Sequence, residues 1–385
     1  MDKIKRFANM LRSKGVVSKL KEAESDINKY LKPCFKDNSS GDTALILRRW
    51  NSYTPALKTT DENSLGGGYF ISWHGKGIVI DPGFDFIRNF HNAGFSIGCI
   101  HAIIMTHSHL DHISDFEPLL TLLYEYNDQR KRDEKAGKKN EHIEPKYIHI
   151  YASLGTLKKC AGWLDFTHLS RKNETMISRI YPLDPFSHKN AFNIPDTDIF
   201  IKPTYAKHNE IIASGYSIGL LVDLYGKNSN KEITIGLTSD TAWTKEVEEQ
   251  FNDCDILIMH IGTVTEKELI TYEPYSKHLG AVGCLKFLTN DKSKCKLYLF
   301  SEFGEEFRES RREIISTIKG ASATPDKCIV ADVGTRIKLP EGSLMCEYTN
   351  CNEEAMNRDF YEYYGVVKHY CKEHIPYKSK WTVFE

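Results

Sequence analysis

Residues 106–115 read THSHLDHISD and follow directly on the apolar run CIHAIIM at 99–105. His107, His109, Asp111 and His112 thus put three imidazoles and a carboxylate within six residues, where an apolar strand stops. Packing gives no reason for such a cluster, whereas nitrogen and oxygen donors at this density suit a borderline divalent ion such as zinc. In an extended segment alternate side chains share a face, so His107 and His109 can grip one ion. As the chain turns into a helix, Asp111 and His112 point elsewhere, toward a second ion. The chain must therefore fold so that a strand end, a tight turn and a helix start meet at one point.

The rest of the sequence can build such a fold. Its 385 residues are 41% hydrophobic, and 51 Lys plus Arg stand against 52 Asp plus Glu, a net charge of -1 that gives no global pull toward nucleic acid. The longest apolar runs fall well short of the roughly 18 residues of a membrane helix, so no membrane span is expected. The basic N-terminus lacks the apolar stretch of a secretion signal, and the expected location is the cytoplasm. Ten cysteines spread over this length do not make a disulfide framework, and the grouped ones read as metal ligands.

Three regions follow. Residues 1–40 carry Ile4, Phe7, Leu11 and Leu20 at near-helical spacing among many lysines and arginines, a basic helical lead-in that Pro33 ends. It would pack on the main body with its charges solvated, or touch nucleic acid. Residues 41–340 alternate short β-rich runs (ALILRR, GGGYFISWHGKGIVIDPG, YIHIYAS, DIFIKPTYA, GYSIGLLVDL, EITIGLTSD, DILIMHIGT, KLYLFSE) with helical stretches, a mixed α/β pattern. The charged segment 128–145 reads as a solvated surface loop. Residues 341–385 form a Cys- and Tyr-rich segment of their own.

HxHxDH at a strand end is the signature of the metallo-β-lactamase superfamily, and the later motifs resemble that family in order. Asp81 in GIVIDPG resembles its first motif, His208 in TYAKHNE the third, and Asp240 in IGLTSDTAW the carboxylate that bridges two metals. The resemblance spans roughly residues 44–318. It implies an α/β fold, the αββα sandwich of the metallo-β-lactamase type, with two divalent ions, zinc or manganese, at the edge between two sheets.

Within the family, YIHIYASLGTLKK, SDT, ILIMHIGT and KHLGAVG resemble elements of ribonuclease Z and its phosphodiesterase relatives. The last match makes His278 the counterpart of a histidine near the scissile phosphate. Three departures matter. Where the family has its last metal histidine this chain has Glu302, which could supply an oxygen ligand instead. Ile261 replaces the glutamate beside His260. Only 31 residues separate His208 from Asp240, too few for the long tRNA-gripping arm of ribonuclease Z.

Two ions sharing one hydroxide would attack a phosphodiester, with Asp111 among the ligands that set up catalysis and His278 protonating the departing alkoxide. A phosphodiesterase or nuclease acting on nucleic acid or a nucleotide is the leading expectation. Hydrolysis of a small ester, lactone or thioester is the second, and a non-catalytic binding protein on the same fold the third. No membrane partner is expected, and a homo-oligomer stays open. In the last segment, Cys346 and Cys351 form a CxxxxC pair and Cys371 and His374 a CxxH pair, the pattern of a closed structural zinc site. Tyr348, Tyr361, Tyr363, Tyr364 and Tyr370, with Lys368, Lys372, Lys378 and Lys380, could there stack bases and contact phosphates, or pack the module onto the main domain.

Overall fold

A computed structural model describes residues 2–31, 41–52, 65–137, 146–164, 177–187, 191–210, 216–304, 307–322, 324–348, 351–355, 360–363, 366–374 and 382–384. Near-continuous buried runs such as Tyr69–Trp73, Ile256–Gly262 and Leu297–Phe303 dictate the layering, because each strand then has two faces to bury. The first sheet is built from β1 (Thr43–Ile46), β2 (Tyr69–Trp73), β3 (Lys76–Ile80), β4 (Ile100–Met105), β5 (Tyr147–Ser153) and β6 (Ile177–Leu183). The second takes β7 (Phe192–Asn193), β8 (Ile199–Tyr205), β9 (Ile218–Tyr225), β10 (Lys231–Leu237), β11 (Ile256–Gly262), β12 (Leu297–Phe303) and β13 (Cys328–Val330). The chain then returns to the first sheet with β14 (Arg336–Lys338) and β15 (Ser343–Leu344), giving the orders β15-β14-β1-β2-β3-β4-β5-β6 and β13-β12-β11-β10-β9-β8-β7.

The helices are α1 (Asp2–Ser13), α2 (Val16–Tyr30), α3 (Phe86–Asn92), α4 (Leu110–Ile113), α5 (Phe116–Lys135), α6 (Leu154–Lys159), α7 (Lys245–Glu249), α8 (Glu266–Thr271), α9 (Gly280–Leu288) and α10 (Phe307–Ala321). Three apolar layers result. Ile78, Ile80 and Ile104 of the first sheet meet Ile201, Val222, Ile235 and Ile258 of the second. Val79, Ile103 and Met105, on the opposite face, pack under Phe86 and Phe90 of α3 and Leu119, Leu120 and Leu123 of α5. Leu257, Met259 and Ile261 pack likewise under Leu279, Phe287, Ile315 and Ile318. Helix, sheet, sheet, helix is the αββα sandwich that the resemblance implies.

The charged segment at 128–145 is a correction. Helix α5 runs on to Lys135 instead of ending in a loop, and residues 138–145 lie outside the described set. Charges one turn apart support it: Arg132 Nε is 3.0 Å from Asp128 Oδ2, and Gln129 donates to Asp133 at 2.9 Å. The N-terminal lead-in is helical, broken by Gly15 at φ 70, and its Ile4, Phe7 and Leu20 are exposed rather than packed; Pro33 is outside the described residues. Beyond β15, β16 (Phe360–Tyr363), β17 (Val366–His369) and β18 (Thr382–Phe384) form a separate small sheet in the order β17-β16-β18.

Candidate metal centre

Strands β3, β4 and β5 run parallel in one sheet, and β10, β11 and β12 run parallel in the other. The expected metal residues lie mostly at their C-terminal ends. His107 follows β4, His109 stands at the N-cap of α4, Asp111 and His112 lie within α4, His208 follows β8, Asp240 follows β10, and Glu302 lies within β12. Ligand candidates spread over positions 107 to 302 are thus gathered at one edge of the sandwich. Asp81, Ser239 and Glu302 reach it with φ of 50, 54 and 57, left-handed backbone that non-glycine residues adopt at a cost on the order of 1–3 kcal/mol.

One ligand set is complete. His107, His109, His208 and Asp240 offer ligand atoms within 4.8 Å of one another. Their surroundings fix which ring nitrogen is free. Thr106 donates its hydroxyl to Asp81 at 2.7 Å and accepts from Ser239 at 2.7 Å, so at 3.1 Å the Nδ1–H of His107 must be the donor to Thr106. His107 Nε2 is left as a lone pair, buried and without a hydrogen-bond partner. His208 similarly donates Nδ1–H to the Lys277 carbonyl at 3.0 Å and turns Nε2 toward His109 Nδ1, 3.2 Å away. Burial, then the neighbouring His112, holds His107 well below the ordinary imidazole range, which keeps it a neutral ligand. Orphaned lone pairs and a carboxylate converging in this way fit a divalent ion with nitrogen and oxygen ligands.

The second expected set is assembled differently. His112, Asp240 and Glu302 do lie within 4.8 Å, and Asp111 is beside them, but the fully buried guanidinium of Arg48 stands among these groups. Arg48 Nη2 donates to Asp111 Oδ2 at 2.5 Å, Nη1 and Nη2 lie 3.3 and 3.2 Å from the two ring nitrogens of His112, and Nε is 2.6 Å from Glu302 Oε1. Glu302 Oε2 faces His260 Nδ1 at 2.8 Å. Asp81 accepts from His112 Nδ1 at 2.9 Å and from the Thr106 amide at 2.7 Å. Despite burial, which would raise it, Asp111 is drawn down to about 2 by His112 and Arg48. A guanidinium of the chain's own is thus the near neighbour of Asp111, His112 and Glu302 alike.

A cavity of 330 Å³ opens over the first set, lined by Ser52, Phe84, His109, Leu110, Asp111, His208, Asp240 and His278. His278 is 3.8 Å from Asp240 Oδ2 through an Nδ1 that has no hydrogen-bond partner. Burial lowers its pKa and Asp240 opposes that shift. Its seat depends on Gly262, φ 68, where an added Cβ would come within 2.4 Å of the ring. Glu268, buried and part of a capping box with Thr265, accepts from the Val282 amide at 2.5 Å and so holds the start of α9. His260, the neighbour of Ile261, serves inside the protein, accepting or donating at 2.9 Å to Tyr69 and reaching Asp240 at 3.3 Å.

Sequence reading missed Arg48, Glu210 and Glu268. Glu210 accepts from the Ser108 amide at 3.0 Å and from Ser153 at 3.0 Å, tying the histidine turn to the end of β5. The TxxE spacing of Thr265 and Glu268 was a readable signal, as was the pair of arginines closing an apolar strand.

The C-terminal four also meet. Cys346, Cys351, Cys371 and His374 lie within 4.8 Å, with Cys371 Sγ 3.1 Å from His374 Nδ1 and 3.9 Å from Cys351 Sγ, and the three cysteines are free thiols. Such a Cys₃His cluster could bind zinc. Tyr348 stacks on His374 at 4.1 Å, Tyr370 is buried, and Lys368 is paired with Glu347 at 2.8 Å, so these three serve internal packing. Tyr364, Lys378, Lys380 and the side chains of Tyr361 and Tyr363 lie outside the described residues.

An αββα sandwich with histidines and a carboxylate converging under an open cavity defines a metal-dependent hydrolase. The chain belongs to the metallo-β-lactamase superfamily: the model of the β-lactamase superfamily domain matches residues 76–298, more than half of its length. An uncharacterized protein of Methanocaldococcus jannaschii is 22% identical over 297 residues, covering 76% of this chain and 92% of that one. Among solved structures, the metallo-β-lactamase fold protein YhfI of Bacillus subtilis has a TM-score of 0.54 at 14% identity, over 78% of this chain and 100% of that one. Human tRNase Z, short form, has a TM-score of 0.51 at 15% identity, over 77% and 99%. At these identities the solved structures speak for the fold alone. No helix among the described residues is long and apolar enough to cross a membrane.

Proposed function

We propose that the protein is a metal-dependent phosphodiesterase or nuclease, with a nucleic acid or nucleotide as substrate, and that His107, His109, His208 and Asp240 hold its catalytic ion. The observation that carries this reading is His278, an unpartnered imidazole in the wall of the same cavity. A divalent ion held there supplies Lewis acidity, which brings the pKa of water toward neutrality and neutralises charge on phosphoryl oxygens. The chain's own residues do the rest. His109, His208 and Asp240 line the cavity from one side while His278 presents Nδ1 from another, so a diester between them meets a proton donor at its departing oxygen. A phosphate anion beside His278 favours the protonated ring, offsetting the downward pull of burial. An ester or lactone leaving group needs this proton less.

The test is leaving-group dependence. His278→Ala should slow a dinucleotide or RNA substrate by roughly 10²-fold and bis-p-nitrophenyl phosphate far less, since p-nitrophenolate leaves without a proton. Equal losses on both, or turnover of lactones and thioesters but no diester, would overturn the reading. We propose further that residues 341–385 are a module stapled by a structural zinc on Cys346, Cys351, Cys371 and His374, appended to a catalytic body at 41–340.

A further inference from the structure

The half of the centre around Glu302 already holds a cation of the chain's own. Three carboxylates, Asp111, Asp240 and Glu302, converge there almost without solvent exposure, and carboxylates are not buried together unless cations accompany them. Arg48 is the cation that the sequence provides. Asp111 Oδ2 takes the Arg48 Nη2 donor at 2.5 Å and the Ser52 amide at 2.6 Å. Glu302 is ion-paired on Oε1 with Arg48 Nε at 2.6 Å and on Oε2 with His260 Nδ1 at 2.8 Å, contacts of charge that are not aligned as hydrogen bonds. The Nε–H itself donates to the Trp50 carbonyl at 3.2 Å, so the guanidinium is anchored through both Nε and Nη2. An ion bound to Asp111, His112 and Glu302 would need to lie about 2.0–2.2 Å from each ligand atom, and guanidinium nitrogens already stand 2.5, 3.2 and 2.6 Å from atoms of these three groups.

We infer that Arg48 replaces the second ion, so that this member of the superfamily works with a single divalent ion and a built-in guanidinium. The inference rests on the proposed ion at His107, His109, His208 and Asp240 and adds its count and its neighbour. It also accounts for Glu302. A buried guanidinium needs negative charge beside it, which Glu302 supplies and a ligand histidine would not. Glutamate at 302 and arginine at 48 are thus one device made of two residues 254 positions apart in sequence. Arg48 is not among the residues that line the cavity, so it sets the charge beneath the site without touching substrate. It is a positioning residue.

Manganese titration with electron paramagnetic resonance reads this directly, because a hard ion enters the nitrogen and oxygen site and leaves the thiolate cluster to zinc. The intact protein should take up about one manganese per chain and give the six-line signal of an isolated ion. Arg48→Ala, which frees Asp111, His112 and Glu302, should take up a second ion and show the broadened spectrum of an exchange-coupled pair. Arg48→Lys, which keeps the charge, should stay at one. Two coupled ions in the unaltered protein would overturn the inference and leave the proposed function standing. No ion at the histidine cluster would overturn both. If Arg48→Ala does not fold, the count on the unaltered protein and on Arg48→Lys still decides. A well-folded Arg48→Ala protein that gains no second ion would show that Arg48 is not what excludes it.

Discussion

The two clusters of metal-ligand residues are built on opposite plans. His107, His109, His208 and Asp240 are gathered from both sheets across more than 130 residues, and they open onto a cavity. Cys346, Cys351, Cys371 and His374 come from one short stretch, are thiolate-rich, and lie together with an aromatic ring stacked on the histidine. Nitrogen and oxygen donors with an open side leave a coordination position for chemistry, while three thiols and an imidazole closed on themselves leave none. The distance along the sequence carries the same message. A site that needs both sheets can exist only after the sandwich has formed, whereas a local one can help the segment around it to fold.

The largest effect that could break this contrast is on turnover. Asp240→Ala removes the carboxylate that faces His107, His112, His208 and His278, at 3.7 to 3.8 Å from each, and should lower diester hydrolysis by on the order of 10³-fold. Elemental analysis should show the ion of the histidine cluster lost and zinc at the cysteines retained. Loss of both metals together would mean that the two clusters are not independent.

The next effect runs the other way. Cys346→Ser with Cys351→Ser should release the zinc of the C-terminal cluster and destabilise β16 to β18, because a segment this small has little apolar surface to bury. Hydrolysis of a small diester should stay within about 2-fold, as the variant leaves the histidine cluster and its ion untouched. Hydrogen exchange should rise in residues 366–374 and stay flat in β10 to β12. A collapse of small-diester activity would show that the segment shapes the catalytic cavity.

How far the sequence foretells each region follows from the range of its interactions. The HxHxDH turn is legible because its residues are neighbours in sequence and have no other use at a strand end. The main strands are legible because Ile78 and Ile80 face one way and Val79 the other. Strand β14 is not, because Arg336–Lys338 carries one apolar residue and exists by pairing with β1, nearly 300 positions away. The last turns of helix α5 hid in a charged stretch whose ion pairs form only once it is helical. Arg48 was the costliest omission. Seen locally it is a polar residue ending a strand, and only the fold reveals that Asp111 and Glu302 surround it.

The smallest expected effect concerns the joint between the two regions. His369 of β17 is buried, and its Nε2 donates to the Val330 carbonyl of β13 at 3.0 Å, a tie from the C-terminal segment to the second sheet. Burial is the main cause that pushes its pKa down to about 4 from the ordinary imidazole value of 6.5, and Lys368 adds to it. Between those two values the unfolded chain binds a proton that the folded one refuses, so acid favours unfolding. The contribution of the neutral ring is therefore complete above pH 6.5 and is lost as pH falls toward 4, at up to about 1.4 kcal/mol per pH unit. Thermal melting followed from pH 7 to 5 should show the C-terminal segment loosening first. His369→Gln, which keeps a neutral donor, should flatten that dependence. An unchanged slope in the variant would place the acid sensitivity elsewhere, with the thiolates of the cysteine cluster next to examine.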